Sequence, residues 1–525
     1  MLPKIININF FSLLILAIYS FTINWFSGNI GVMPIDTFAF FDTSFSILKN
    51  KLPIRDFWIF TGLTVDYIQS LFFFLFGLSW KSYIFHASTF NIIGTLSFYY
   101  FLKNFNLNQF AIIIYSLSFA TLCYPVSGTP FAYLHSYIFS LISVFLFINA
   151  IRKGNNLSWF ILPFLFLLSF FSMQTPSVYI IISLLFFSLF FFIKNKRIKN
   201  FQFFLFGSLS SLFLFIIFLI LTKTPLDNLI YQYFLFPLTI GEGRWASDVS
   251  AYTRLSDQLN FKRLIGDFKF IYVFYFPLFL LTISLFFKKN EKLFFVNLVI
   301  LTTSFFFVVN QLMQANQIYI FSLIPLLASV LHINIKEIKN NKKFLILIFC
   351  ILIFSTIKYH SRYNLDRKFL DIENVDKQTS VEAKNIDIKL KHLKWITPHY
   401  KNPQYEIDLI KDALTVIKSD PRKKMLITHY QFFSLLLDED LNILNRWYLW
   451  DNNTHPTENH KYFKIYQQMV SQNLKNNSIE VIYLLGPDKQ MSFSKIRNYF
   501  NNVCFNNNIV VKDKFSYHEI VNCKN

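Results

Sequence analysis

Long apolar stretches separated by short charged ones dominate residues 1–359. A helix needs about 20 mostly apolar residues to cross the hydrocarbon of a bilayer. On that measure spans are expected at roughly 5–26, 82–102, 109–124, 135–151, 158–172, 177–193, 201–221, 270–287, 293–309, 317–332 and 343–359. The first follows Lys4 and has no small-residue cleavage site after it, so it reads as a retained signal-anchor helix. Two long loops, 28–81 and 222–269, interrupt the series. After residue 360 the period changes. Residues 425–428 and 480–485 read as strands, 461–475 as a helix of mixed polarity and 493–500 as a shorter one. The pattern predicts an α-helical polytopic membrane protein of about eleven transmembrane helices over 1–359, followed by a small α/β domain over 360–525.

The first long loop carries its own periodicity. Phe38, Phe41, Phe45 and Leu48 recur at helical spacing, which predicts an amphipathic helix over 36–49 lying on the membrane. Pro34 and Asp36 stand at its start, where Asp is a favoured cap. Residues 65–77 read as a second interfacial helix, too short to span comfortably. Between them, residues 52–58 form a turn with charge and aromatics at membrane level.

Composition agrees with a lipid environment. Only 15% of the 525 residues are charged, below the roughly 25% of a soluble domain. Sixty-nine phenylalanines exceed what one water-soluble core can hide. Charge then orients the spans. Alternate short loops, with Lys4, hold fifteen basic residues, from Lys103 and Arg152 through Lys199 and Lys288 to Lys343. Only Glu291 and Glu337 are acidic there. The positive-inside rule puts that side in the cytoplasm. Both long loops and everything after 360 then face outside. The basic loops are short and scattered, which argues against nucleic acid as a partner. Cys123 and Cys350 lie in or beside spans. Cys504 and Cys523 close the chain on the predicted exterior, where an oxidising compartment permits a disulfide. No CxxC or HExxH metal pattern is present.

Chemistry concentrates in the first loop. On an ideal helix Asp36 and Asp42, six residues apart, point about 120° from one another. A carboxylate at the membrane surface serves either as a helix cap or as a general base for an acceptor hydroxyl. The order of an acid, an amphipathic helix and the stretch Asn50, Lys51, Leu52, Pro53, Ile54, Arg55, Asp56, Phe57, Trp58, followed by Gly62, Asp66 and Tyr67, resembles the GT-C class of polyprenyl-phosphate-sugar glycosyltransferases. It is similar to bacterial relatives of the protein mannosyltransferases and of the lipid A aminoarabinose transferases. The resemblance is close over the first loop and covers the remainder only by span number and topology. It implies a catalytic role for Asp36, the first acid after the first span, with Asp42 in support. The mannosyltransferase pattern has a second acid directly after the first, and here that residue is Thr37.

The donor implied by the resemblance is a sugar on a polyprenyl phosphate, and the acceptor a lipid, glycan or protein. Arg or Lys is suited to the departing phosphate. The candidates are Lys51, Arg55 and Arg244, each with headgroup contact or interfacial anchoring as the alternative. Asp56 and Asp66 join the substrate-binding set, or pair with Arg55 to shape the loop. Gly241 and Gly243 permit an irregular backbone beside Arg244. His135, Gln174 and the polar residues 310–317 face the same side and are either cavity lining or helix ends. In the tail, the rings of 446–451 and His455 are either sugar-stacking or packing groups. No cofactor is required by any motif, and the resemblance leaves a divalent cation open. No ionisable residue is expected inside a span, which weakens a transporter. The competing reading is a lipid-linked saccharide flippase or an envelope assembly factor.

Overall fold

The computed structural model describes residues 2–246, 261–266, 268–314, 319–338, 341–487, 491–501, 503–506, 509–512, 514–521 and 523. A helix occupies each of the eleven apolar stretches. These include α1 (Leu2–Gly28), α5 (Trp80–Lys103), α6 (Gln109–Leu122), α7 (Ala132–Lys153), α8 (Asn156–Ser172), α9 (Gln174–Asn195) and α10 (Ile198–Thr222). Between α1 and α5 lie α2 (Pro34–Thr37), α3 (Phe41–Leu48) and α4 (Leu63–Phe76). Helices Lys269–Phe287, Glu291–Leu312, Leu323–Ile338 and Lys342–Tyr359 complete the bundle. Among the described residues, eight helices are long and apolar enough to cross a membrane. The other three are α5, which carries Lys81, His86 and Asn91, and the shorter α8 and Leu323–Ile338.

Local chemistry explains where the helices start. The side chains of Asn108, Asn155, Asn290 and Asn341 each accept a backbone N–H at a helix N-terminus, and all four belong to the basic short loops. Lipid-facing stripes are equally legible. On α10, Phe206, Phe213 and Ile220 repeat every seventh residue and are well exposed. The opposite face packs on α8, where a Cβ at Gly207 would strike the carbonyl of Phe160, so only glycine permits the approach.

The tail is built on a sheet. The short strands β1 (Val381–Glu382) and β2 (Lys394–Trp395) pair antiparallel with each other, and β3 (Lys424–Thr428) pairs in parallel with β4 (Val481–Leu485). Strand β4 pairs antiparallel with Phe515–Val521, which in turn carries the short strands Cys504–Phe505 and Ile509–Lys512. Both β3 and β4 are buried along their whole length, as strands covered on both faces must be. Helix Pro403–Ser419 buries Ile407, Ile410, Ala413 and Ile417, and helix Phe463–Asn476 buries Tyr466, Val470 and Leu474. Cys504 and Cys523 form a disulfide.

The first exterior loop departs from expectation. The amphipathic helix over 36–49 is broken into α2 and α3, and its aromatic stripe does not meet lipid. Phe38, Phe41 and Phe45 are buried in one core with Trp80 of α5 and with Trp395, Phe432 and Phe433 of the tail. Phe38 lies 4.6 Å from the Phe432 ring and 5.3 Å from that of Trp80. The apolar period is present, but its partner is protein. The expected boundary at 359/360 is crossed by this shared core. Helix α4 matches the second expected helix. It exposes Leu71, Phe74 and Leu75 and buries Val65, Asp66, Gln69 and Phe73.

Candidate functional site

The segment leading to Asp36 is fixed before the side chain is placed. Gly31 and Val32 donate backbone hydrogen bonds to Lys394 and Ile396 of the tail, at 3.0 and 2.8 Å. Gly31 has φ +83°, and a Cβ there would collide with Ile372, so glycine alone fits. Helix α2 follows, opened by Pro34 at its first position. Its cap position is Met33, and α3 is capped at Phe40, neither with a side-chain bond. Asp36 therefore caps neither helix.

Asp36 is only partly buried, unlike the other two central acids of the loop. The Trp447 side chain and Asp371 are among the groups that act on its charge. Burial, opposed by Trp447 and reinforced by Asp371, pushes its pKa up to about 6. Such a carboxylate is mostly ionised at neutral pH, yet basic enough to accept a proton from an attacking hydroxyl. Trp447 stands among aromatic rings, 5.7 Å from Phe60 and 6.3 Å from Phe40. The Arg446 guanidinium lies against the same Phe40 and Trp447 rings, 4.2 and 5.1 Å from their centres.

Asp42 and Asp66 are sealed by structural partners. Asp42 is 1% exposed, and its two oxygens accept the backbone N–H groups of Ser434 and Leu435 at 3.0 and 2.9 Å. It caps a helix of the tail, which leaves no lone carboxylate for catalytic support. Burial raises its pKa to about 7 against the pull of those two donors. Asp66, fully buried, pairs with Arg446 and accepts a 2.6 Å hydrogen bond from Thr43.

The turn that carries the family resemblance is a brace. Arg55 holds Asp56 at 2.7 Å and donates to the carbonyls of Asn50 and Thr222. Asp56 also accepts the Leu52 N–H at 2.6 Å. Lys51 reaches Asn477 of the tail, with Asp440 4.0 Å away. The Trp58 N–H bonds to the Leu444 carbonyl at 2.8 Å. Gln174 likewise braces, donating to the carbonyls of Phe60 and Tyr233. Arg244 belongs to the helix Phe236–Ala246, with Gly241 and Gly243 inside that helix and not in an irregular loop. The Arg244 side chain, Asn316 and Gln317 lie outside the described residues.

His135 is not solitary. Its Nε2 meets Nε2 of His86 at 2.9 Å, its Nδ1 meets the Tyr124 hydroxyl at 2.9 Å, and His86 continues to Gln69 at 2.9 Å. His86 lies within α5, so the expectation of spans free of ionisable groups does not hold there. In the tail, His455 is buried and bonded to Tyr499 at 2.9 Å, which makes it a packing group. Among the described residues, no cluster of three or more His, Cys, Asp or Glu is arranged to hold a metal ion.

Two residues beside Asp36 were not singled out from the sequence. In the sequence Trp447 belongs to an aromatic run that is either sugar-stacking or packing, and nothing local marks Asp371. Compared with protein-family models and with curated proteins, the chain matches none.

Proposed function

We propose that this chain is a glycosyltransferase of the outer face of the cytoplasmic membrane, moving a sugar from a polyprenyl-phosphate carrier to a lipid, glycan or protein acceptor. In this reading all eleven helices span, with the N-terminus in the cytoplasm and the tail outside. The Cys504–Cys523 disulfide supports that side for the tail, since such bonds persist in oxidising compartments. The single observation that carries the reaction is Asp36. It is a partly accessible carboxylate with a pKa of about 6, capping no helix, beside the Trp447 ring. An acceptor hydroxyl attacks the anomeric carbon and gives its proton to Asp36. The bond from that carbon to the phosphate oxygen breaks, and polyprenyl phosphate leaves. Direct displacement inverts the anomeric centre. Arg244 keeps its candidacy for the phosphate, because Lys51 and Arg55 are engaged elsewhere. A buried His86–His135 pair between α5 and α7 favours the second reading, a lipid-linked saccharide flippase. Proteoliposomes given radiolabelled polyprenyl-phosphate sugars separate the two. A transferase moves label from the lipid phosphate to an acceptor. A flippase carries it across the bilayer with the phosphate linkage intact.

A further inference from the structure

The second long loop begins with a continuous helical segment: Leu226–Leu229, a π-turn over Ile230–Leu235, and the helix Phe236–Ala246. Its two faces differ in kind. Leu226, Ile230, Phe234 and Leu238 are 62, 45, 42 and 62% exposed and recur at every fourth residue. Leu229, Gln232, Tyr233 and Phe236 are buried. On a regular α-helix a repeat of four overshoots a full turn by about 40° at each step. The π-turn, bonded from i to i+5, holds more residues per turn and takes up that overshoot. The four apolar side chains therefore stay in one row.

The opposite face rests on protein. Asn228 and Gln232 donate to the Ile54 carbonyl at 3.1 and 3.0 Å, and Gln232 accepts the Ile59 N–H at 3.0 Å. Phe236 meets the rings of Trp58 and Phe60 at 5.4 and 5.9 Å. The tail takes over from there. Its Tyr462 ring lies 5.6 Å from Tyr231, its His460 bonds to Thr239 at 2.8 Å, and its Lys461 stands 3.6 Å from Glu242. A segment attached to the tail from Tyr231 to Glu242 cannot also plunge across a bilayer.

The exposed row continues a lipid-facing surface. Helix α10 ends at Thr222, left-handed Lys223 (φ +52°) breaks it, and Leu226 follows. The last turn of α10 exposes Ile220 and Leu221, at 68 and 76%. Phe234 lies 5.6 Å from Phe170, near the end of α8, and the Tyr233 hydroxyl donates to the Phe171 carbonyl at 2.5 Å. The row thus sits level with the ends of two helices of the bundle.

We propose that residues 226–246 lie in the plane of the membrane on the tail's side, with the row from Leu226 to Leu238 immersed among lipid acyl chains and the tail carried on the other face. The partner of the row is the bilayer, because the row extends the lipid-facing surface of α10. Exposed Lys223, Asp227 and Glu242 mark its edge with water. The tail is thereby held at a fixed level on the lipid surface. This placement stands whether or not the chain transfers sugar.

The test is nitroxide labelling of the full chain in nanodiscs. Cys350→Ala removes the exposed thiol, and single cysteines replace Leu226, Ile230, Phe234 or Leu238 in turn. These side chains are exposed, so each substitution leaves the packed face intact, and four positions allow for one that folds badly. Collisions with oxygen, which partitions into lipid, are compared with those of a water-soluble nickel chelate. Oxygen is expected to dominate at all four positions and at about equal depth, and the chelate to dominate in Asp227→Cys and Glu242→Cys. Chelate dominance along the row overturns the proposal by placing it in water. Exclusion of both reagents overturns it by placing the row under protein, with spin–spin broadening identifying a second copy. Oxygen dominance with depth changing steadily by about 18 Å from 226 to 238 overturns it by making the segment a span. None of these results touches the transferase reading, which fails only if no sugar is transferred.

Discussion

Helices α2 and α3 sit side by side in one loop and use their aspartates in opposite ways. Asp42, on α3, is sealed, and both oxygens are taken by backbone N–H groups of the tail. Asp36, on α2, is partly accessible and caps no helix. A buried carboxylate whose oxygens are all satisfied serves the fold. One that stays partly accessible can exchange a proton with a bound group, which a sealed one cannot. Asp66 belongs with Asp42, because its charge is spent on Arg446.

The contrast can be broken by substitution. Arg446→Met leaves Asp66 buried without its cation and is expected to destabilise by about 3–5 kcal/mol in denaturant titrations in detergent. Adding Asp66→Leu should recover much of that loss, since an apolar pair can replace a buried ionic one. Asp36→Asn should act in the other direction. Its folded pKa lies above the ordinary carboxylate value, so the wild type loses stability as pH rises from about 4 through about 6. The Asn variant escapes that loss and should gain roughly 1–3 kcal/mol near pH 7.5, with no gain below about pH 4. Asp42→Ala removes a cap and should destabilise by about 1–2 kcal/mol. Lys51→Ala, at a third-exposed contact, should change stability by under about 1 kcal/mol.

The bundle was readable because lipid demands uninterrupted apolar length, and a helix lies on each of the eleven stretches. Strands β3 and β4 and the Cys504–Cys523 pair were readable for similarly local reasons. What failed was the partner of a pattern. The Phe38, Phe41 and Phe45 stripe announces an apolar neighbour, but not whether that neighbour is lipid or Phe432. The site was legible in part. Asp36 stood out by its place after the first span. Trp447 and Asp371 bear on its charge only because the tail packs on Gly31 and Phe40, which no local spacing records. The turn of 50–58 carried the resemblance, yet its charges close on one another and on the tail. His86 was hidden in an apolar run and becomes visible only beside His135.

The most direct test of Asp36 as the reacting base is turnover of Asp36→Asn in proteoliposomes with a polyprenyl-phosphate sugar that the wild type consumes, with unfolding followed on the same preparation. The account predicts transfer reduced at least about 100-fold in a protein that is as stable as the wild type or more so at pH 7.5. Wild-type turnover by the folded variant would contradict it.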